Sequence, residues 1–254
     1  MRMRRRAFHA FAALVLLAAL AAVWAVTATG RPGSGPRETV NQRFTAKRAG
    51  VPTGASFTGR FHAAGDPQGS PPFLERMVMH PPKGMRYDTR VPARCTASDP
   101  QLEAGGPSAC PANSRIGHGT AEGLFLVPGT SNVVFDHFKH HVDILNDENE
   151  QIVLVHSEGY TVARGELRPN GSWVYDLPTC FPHPPSGCAD EYIVQLMTTS
   201  VVPRYTRKVK GRLRSYATTP PRCPARGYWK TVVALRWSDG TADNVATKQP
   251  CRGS

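Results

Sequence analysis

Apolar and polar residues alternate along much of the chain, and turn residues interrupt the alternation at short intervals. In the segment YWKTVVALRW, Trp229, Val233 and Trp237 share one side of an extended chain, while the cationic residues share the other side. A period of two is typical of a β-strand with one buried face. The Asp-Gly pair at 239–240 then predicts a tight hairpin turn.

Other strand-like segments are SFTGRFH, TAEGLFLV, QIVLVHS, YTVARGEL and EYIVQLMTTSVV, and residues such as Pro, Gly and Asn-Gly separate them. No segment keeps a helical period over three turns. About ten strands with short turns predict an all-β domain, an antiparallel β-sandwich of the jelly-roll or immunoglobulin-like type.

The N-terminus has the pattern of an export segment. MRMRRR precedes the apolar run Ala7–Val26, which predicts an apolar helix acting as a signal peptide or signal anchor over residues 1–28. Small residues favour cleavage after Ala28, but seventeen unbroken apolar residues from Ala10 to Val26 are enough to span a bilayer. Both alternatives stay open, and in both the rest of the chain is secreted or extracytoplasmic and membrane-anchored.

Pro, Gly and Ser dominate the next segment, which begins TGRPGSGPRETV and ends near AGVPTGAS. This composition predicts a flexible linker over residues 29–55, followed by the β-sandwich domain over residues 56–254.

The net charge of +12 favours anionic partners. Four of these charges lie within the first six residues, which leaves +8 for the rest of the chain. Because the chain is exported, nucleic acid is not an expected partner. A cell-envelope polymer or another anionic surface is expected, together with the membrane if the N-terminal segment is not cleaved.

The chain has six cysteines, an even number that in an exported protein predicts disulfide bonds. Fifteen pairings exist in principle. Their spacing favours the nearest-neighbour pairs Cys95–Cys110, Cys180–Cys188 and Cys223–Cys251.

The segment VVFDHFKHHVDIL, Val133–Leu145, contains three histidines and two aspartates. Read as one strand, it places His140 on the core side, in a row from Val134 to Ile144, and its other residues towards solvent. His141 and Asp143 then lie about 6.6 Å apart on the solvent side, a workable spacing for two ligands of one metal ion.

A His-x-Asp pair with a distant histidine is also the pattern of the non-haem iron facial triad. His156 and His183 are the candidates for the third ligand. A hydrated strand face is the alternative interpretation, and such short motifs occur often by chance.

The segment RYTRKVKGRLRSY, Arg204–Tyr216, carries six cations. On a single strand four of them fall on one face, each about 6.6 Å from the next: Lys208, Lys210, Arg212 and Arg214. Such a row matches a linear polyanion, and Tyr205 and Tyr216 are placed to stack on sugar rings. The alternative is an edge strand whose charges prevent aggregation.

Three segments resemble exported proteins of high-GC Gram-positive bacteria. They are VPARCTASDPQLEAGGPSACPANSRIGHGTAE, YTVARGELRPNGSWVYDLP and the C-terminal SYATTPPRCPARGYWKTVVALRWSDGTADNVATKQPC. The resemblance covers about residues 75–251. It implies a β-rich exported domain and supports the pairs Cys95–Cys110 and Cys223–Cys251, but it implies no activity. The loop CFPHPPSGC departs from it.

These features together predict an exported, non-catalytic β-sandwich protein with a binding or structural role at the cell envelope, acting through the cationic strand face. The alternative is a metal-dependent enzyme that uses His141 and Asp143. No cofactor is predicted, because the chain contains no G-x-S-x-G, P-loop or H-E-x-x-H motif.

Overall fold

The computed structural model describes residues 35–127, 129–156, 159–178, 180–181, 190–201 and 205–253. The predicted N-terminal helix, residues 1–28, lies outside these ranges. No helix within them is long and apolar enough to cross a membrane.

Strands make up most of the described chain. They are β1 (Glu38–Phe44), β2 (Ala55–Phe61), β3 (Leu74–His80), β4 (Arg86–Tyr87), β5 (Arg115–Leu126), β6 (Val133–Asp147), β7 (Glu150–His156), β8 (Tyr160–Leu167), β9 (Trp173–Asp176), β10 (Cys180–Phe181), β11 (Asp190–Val201), β12 (Thr206–Val209), β13 (Arg212–Ser215), β14 (Ala217–Thr218), β15 (Tyr228–Trp237) and β16 (Ala242–Pro250). One short helix, α1 (Asp99–Gly105), lies between β4 and β5.

The main sheet follows one hydrogen-bonded path in the order β1-β2-β11-β5-β6-β7-β8-β9-β3-β15-β16, with β10 paired to β11. Every pair along this path is antiparallel, which confirms the all-β antiparallel class. The ends of the path approach each other, and Arg48 and Arg252 form a parallel bridge just beyond β1 and β16. The described strands thus form a near-barrel, where the sequence predicted two facing sheets.

A glutamine side chain holds the two ends of the sheet together. The Phe44 backbone N–H donates to Gln249 Oε1 at 2.6 Å, and Gln249 Nε2 donates to the Phe44 carbonyl at 2.9 Å. Both residues are buried. Below this contact, the Arg252 N–H donates to the carbonyl of Lys47 at 2.7 Å. The Gln249 amide therefore takes the place of a strand–strand backbone pair at the closure.

Three buried tryptophans fill the interior of the near-barrel. Trp229 packs edge-on against Phe44, and Trp237 packs edge-on against Phe61, at centroid distances of 6.3 and 5.6 Å. Trp173 packs edge-on against Tyr87, at a centroid distance of 5.2 Å. The three tryptophans lie at inward-facing positions of strands β9 and β15. For β15, the alternation in the sequence predicts this orientation.

A second, smaller core lies outside the sheet, under α1. Leu102 of the helix packs with Leu145, Ile152 and Leu154 of β6 and β7 and with the Cys95–Cys110 disulfide. Strand β7 is therefore buried on both faces, as its continuous apolar run indicates. The helix escapes sequence detection because it spans seven residues and buries one leucine.

Two of the predicted disulfides are confirmed, Cys95–Cys110 and Cys223–Cys251. The second joins the segment before β15 to the residue after β16. Cys188 lies outside the described residues, so the Cys180–Cys188 pair stays a prediction.

The predicted linker over residues 29–55 is wrong for its second half. Residues 38–44 form β1, which pairs with β2 along its whole length. Val40, Gln42 and Phe44 point inward and are buried. The surrounding Pro, Gly and Ser residues concealed this alternation, so the folded domain begins about 18 residues before Ser56, as the start of β1 at Glu38 shows.

We expect Gln249→Ala to destabilise the protein by about 2–4 kcal/mol, because two buried backbone groups of Phe44 lose their partner. Urea unfolding measures the change. Asn244→Ala, which truncates an exposed amide on the same strand, is the matched control and should cost less than about 0.5 kcal/mol. Equal losses in the two variants would show that Gln249 does not hold the closure.

Candidate functional site

The histidine-rich segment forms most of β6, but only its second half follows the predicted faces. His140 is 1% exposed, which places it in the core as predicted. In the first half, Val134 and Phe138 are 42% and 45% exposed, although the same parity predicts burial. His137 has a φ of 53°, a left-handed conformation that interrupts the alternation between the two halves.

Asp143 is 5% exposed, so its predicted position in solvent is wrong. Its carboxylate pairs with the guanidinium of Arg115 on the neighbouring β5. His141 Nε2 lies 3.3 Å from Asp143 Oδ1 and 3.3 Å from the Arg115 guanidinium. The structure thus brings His141 and Asp143 together, but Arg115 already neutralises the carboxylate and would have to leave before a cation could bind.

The third candidate ligand, His156, lies directly opposite His141 in the register of β6 and β7. Its ring stacks on Tyr160 at a centroid distance of 4.5 Å. His183 lies outside the described residues. Across the part of the chain that is described, no three His, Cys, Asp or Glu side chains are arranged to hold a metal ion.

The predicted row of cations is not on one strand. Residues Thr206–Ser215 fold into a two-stranded hairpin, β12–β13, that is separate from the main sheet. The chain reverses at Lys210 and Gly211, whose φ values are 48° and 76°. Two positive φ angles in succession are characteristic of a type I′ hairpin turn.

The hairpin register divides the cations between two faces. Arg207 is opposite Arg214, and Lys208 is opposite Leu213. Directly opposed residues share a face, so Lys208 lies on the face away from Arg207, Arg212 and Arg214. The sequence predicted Lys208 on the same face as Arg212 and Arg214; this is wrong because it assumed an unbroken strand.

The two tyrosines that flank the hairpin have structural partners. Tyr216 is fully buried, and its hydroxyl accepts a hydrogen bond from Gln151 Nε2 at 2.7 Å, so the prediction that it stacks on a sugar is wrong. Tyr205 is half-buried, and its hydroxyl donates to the carbonyl of Asn113 at 3.0 Å. These contacts fix the base of the hairpin to the body of the protein.

Further cations surround the hairpin, which the sequence pattern did not indicate. One cleft is lined by Arg86, Arg90 and Arg214, and a second cleft, which shares Leu213 with the first, is lined by Lys47 and Arg48. Pairing of β4 with β14 brings the first group to the hairpin, and the chain after β1 supplies the second. We use the name cationic surface for these residues and the hairpin cations: Lys47, Arg48, Arg86, Arg90, Arg207, Lys208, Lys210, Arg212 and Arg214.

Asp88 is the carboxylate among the residues lining the first cleft. Burial acts to raise the pKa of Asp88, but hydrogen bonds from Arg90 and the charges of Arg90 and Arg214 outweigh this effect and lower it. Asp88 is therefore ionised at neutral pH, and it pairs with Arg90 and Arg214. For the remaining hairpin cations, Arg207, Lys208, Lys210 and Arg212, no carboxylate of a described residue lies within ion-pair distance.

No protein-family model and no curated protein matches the sequence. Among solved structures, the chain has a similarity to the Iho670 flagellar-like filament, with 12% identity, a TM-score of 0.26, and coverage of 94% of this chain and 93% of that chain. A similarity at this level carries no argument about fold or function.

We expect Arg115→Met to destabilise the protein by about 1–2 kcal/mol, because the buried Asp143 carboxylate loses its guanidinium partner and keeps only the contact with His141. The double variant Arg115→Met with Asp143→Asn should recover part of the loss, since no charge is then left buried. Urea unfolding of the four members of this cycle measures the coupling. Additive losses would contradict a direct pair.

Burial lowers the pKa of His140, against the opposite effect of its hydrogen bond to the His156 carbonyl. An unfolded histidine titrates near about 6.5, so below that pH unfolding takes up a proton that the folded state binds less readily. The free energy of unfolding should therefore decrease as the pH falls below about 6.5. The variant His140→Asn keeps an amide donor but does not titrate in this range. Its free energy of unfolding should therefore decrease less than that of the wild-type protein between about pH 7.5 and 5. An unchanged pH dependence in this variant would contradict the assignment.

Proposed function

We propose that this protein is an exported, non-catalytic binding protein of the cell envelope, and that the cationic surface recognises an anionic envelope polymer. The observation that carries the proposal is the hairpin β12–β13, which presents Arg207, Lys208, Lys210 and Arg212 to solvent without a neighbouring carboxylate among the described residues. Charges of one sign that are not compensated locally attract polyanions and accelerate their association.

The hairpin contributes more than an edge-protecting strand would. It forms a separate two-stranded sheet, so its cations do not protect an edge of the main sheet. Its residues also line two adjoining clefts that carry further arginine and lysine side chains. A linear polymer that extends from the hairpin into these clefts would meet further cations, and the guanidinium groups suit phosphate or carboxylate oxygens.

Export is part of the proposal. The N-terminal segment, residues 1–28, has the pattern of a signal peptide or a signal anchor, and we propose that it forms the apolar helix expected of one. The two disulfides support an extracytoplasmic location, because such bonds persist in oxidising compartments.

The metal-enzyme alternative has less support. It rests on His141 and Asp143, with His156 opposite His141 as the third ligand, but Arg115 pairs with the carboxylate that a metal ion would need. The geometry around Asp143 suits an ion pair better than a ligand set.

We expect the triple variant Arg207→Glu, Lys208→Glu, Arg212→Glu to bind isolated cell envelopes at least about tenfold more weakly than the wild-type protein, because each change reverses an uncompensated charge. Arg214 is left unchanged, so its pair with Asp88 is kept. Sedimentation with envelopes across a salt series measures binding, and salt should release the wild-type protein.

The matched control is Arg60→Glu, Lys83→Glu, Lys230→Glu, which makes the same change in net charge at exposed cations away from the hairpin. It should bind nearly as well as wild type. If the two triple variants lose binding equally, net charge rather than the cationic surface governs the interaction, and the proposal is wrong.

A further inference from the structure

The interior of the near-barrel contains a partly open cavity. It lies between β2 and β11 on one side and β3, β7 and β9 on the other, with about 70 Å³ of free volume. A buried water needs only about 10–15 Å³ on this measure, so the cavity is larger than an ordinary packing defect. Native interiors contain few voids of this size, because an empty space costs stability.

The cavity lining is apolar and adaptable. Its main side chains are Phe57, Met77, Met79, Trp173, Tyr175 and Met197. Methionine side chains are flexible and make favourable contacts with aromatic rings, so they can adjust to a guest molecule. Met79 and Met197 are only half-buried.

Most polar groups at the cavity already have partners. Gln151 Oε1 accepts a hydrogen bond from the Tyr175 hydroxyl at 2.5 Å, and Gln151 Nε2 donates to Tyr216 at 2.7 Å. Burial raises the pKa of Tyr175 and of Tyr216, so both phenols stay protonated and neutral. The three side chains thus form a hydrogen-bonded chain from Tyr175 through Gln151 to Tyr216.

Gln42 is the exception. It lines the cavity from β1 and is 4% exposed, and its Oε1 atom has no hydrogen-bond partner among the described residues. A buried amide oxygen without a donor is costly, and native proteins rarely tolerate one. The oxygen is fully covered in this structure, so a donor brought by a bound molecule would reach it through movement of the side chains around it.

We infer that the interior of the near-barrel binds a small, mainly apolar molecule of about the size of a substituted benzene ring, with one hydroxyl donor directed at Gln42 Oε1. The apolar lining supplies the burial, and the single amide oxygen selects for the hydroxyl. Sites of this kind combine an apolar wall with few polar groups. This inference is independent of the cationic surface.

Phenol and toluene are suitable probes, because they have the same shape and differ in the hydroxyl donor. Protein expressed from the full-length chain is titrated with each, and binding is followed by NMR contacts from the probe to the Met77 and Met79 methyl groups. Phenol should bind with those contacts. Gln42→Leu should weaken phenol binding about five- to tenfold and leave toluene binding unchanged or stronger.

Asn41→Leu makes the same amide-to-leucine change on the outer face of β1 and should leave binding of both probes unchanged. Val153→Phe and Ala55→Leu, which fill the cavity from opposite walls, should each weaken both probes, provided that their circular dichroism matches wild type. Absence of binding by both probes up to their solubility limits would overturn the inference. Binding that survives both cavity-filling variants would overturn it equally, because the probes would then lie elsewhere.

Discussion

Closure of the sheet at β1 and β16 determines the architecture of this protein. An antiparallel path of eleven strands ends with its first and last strands running in the same direction, as the parallel bridge between Arg48 and Arg252 shows. The Gln249 amide mimics a peptide group and joins the strands where the core residue Phe44 lies. Together with the backbone bonds of Arg252 to Lys47 and Ala49, this contact covers the edges of both strands.

The closure also determines what lies outside the sheet. The hairpin β12–β13 is excluded from the main path, and its base is held by buried Tyr216 and by the pair of Arg214 with Asp88. The same region receives Lys47 and Arg48 from the chain after β1. The cationic surface is therefore assembled from segments far apart in the sequence, and it depends on the fold for its position.

Local pattern predicted the strands with strong alternation, such as β15, and the double burial of β7. The local pattern did not predict the structure where turn-forming residues or charges obscured the alternation of apolar and polar residues. Pro and Gly residues concealed β1, and the His137 conformation divided β6 in a way that periodicity does not show. In the hairpin, Lys210-Gly211 is a recognisable turn sequence, but the run of charges suggested one strand.

The candidate site was predictable in its residue types and only partly in its geometry. Arg207, Arg212 and Arg214 are visible as a charged run, whereas the contribution of Arg86 and Arg90 depends on long-range pairing of β4 with β14. The Arg115–Asp143 pair was accessible in principle, because β5 and β6 are consecutive strands whose pairing brings these residues close. The cavity and the Gln42 amide have no local sequence signature.

Mapping a bound polyanion on the protein tests whether the cationic surface is a recognition site. Backbone amide NMR spectra are recorded while linear polyphosphate is added at moderate ionic strength. We expect the shifts to cluster in residues 205–216, with smaller changes near Arg48 and Arg90. Shifts spread evenly over all exposed cations, or centred on another face of the near-barrel, would contradict it.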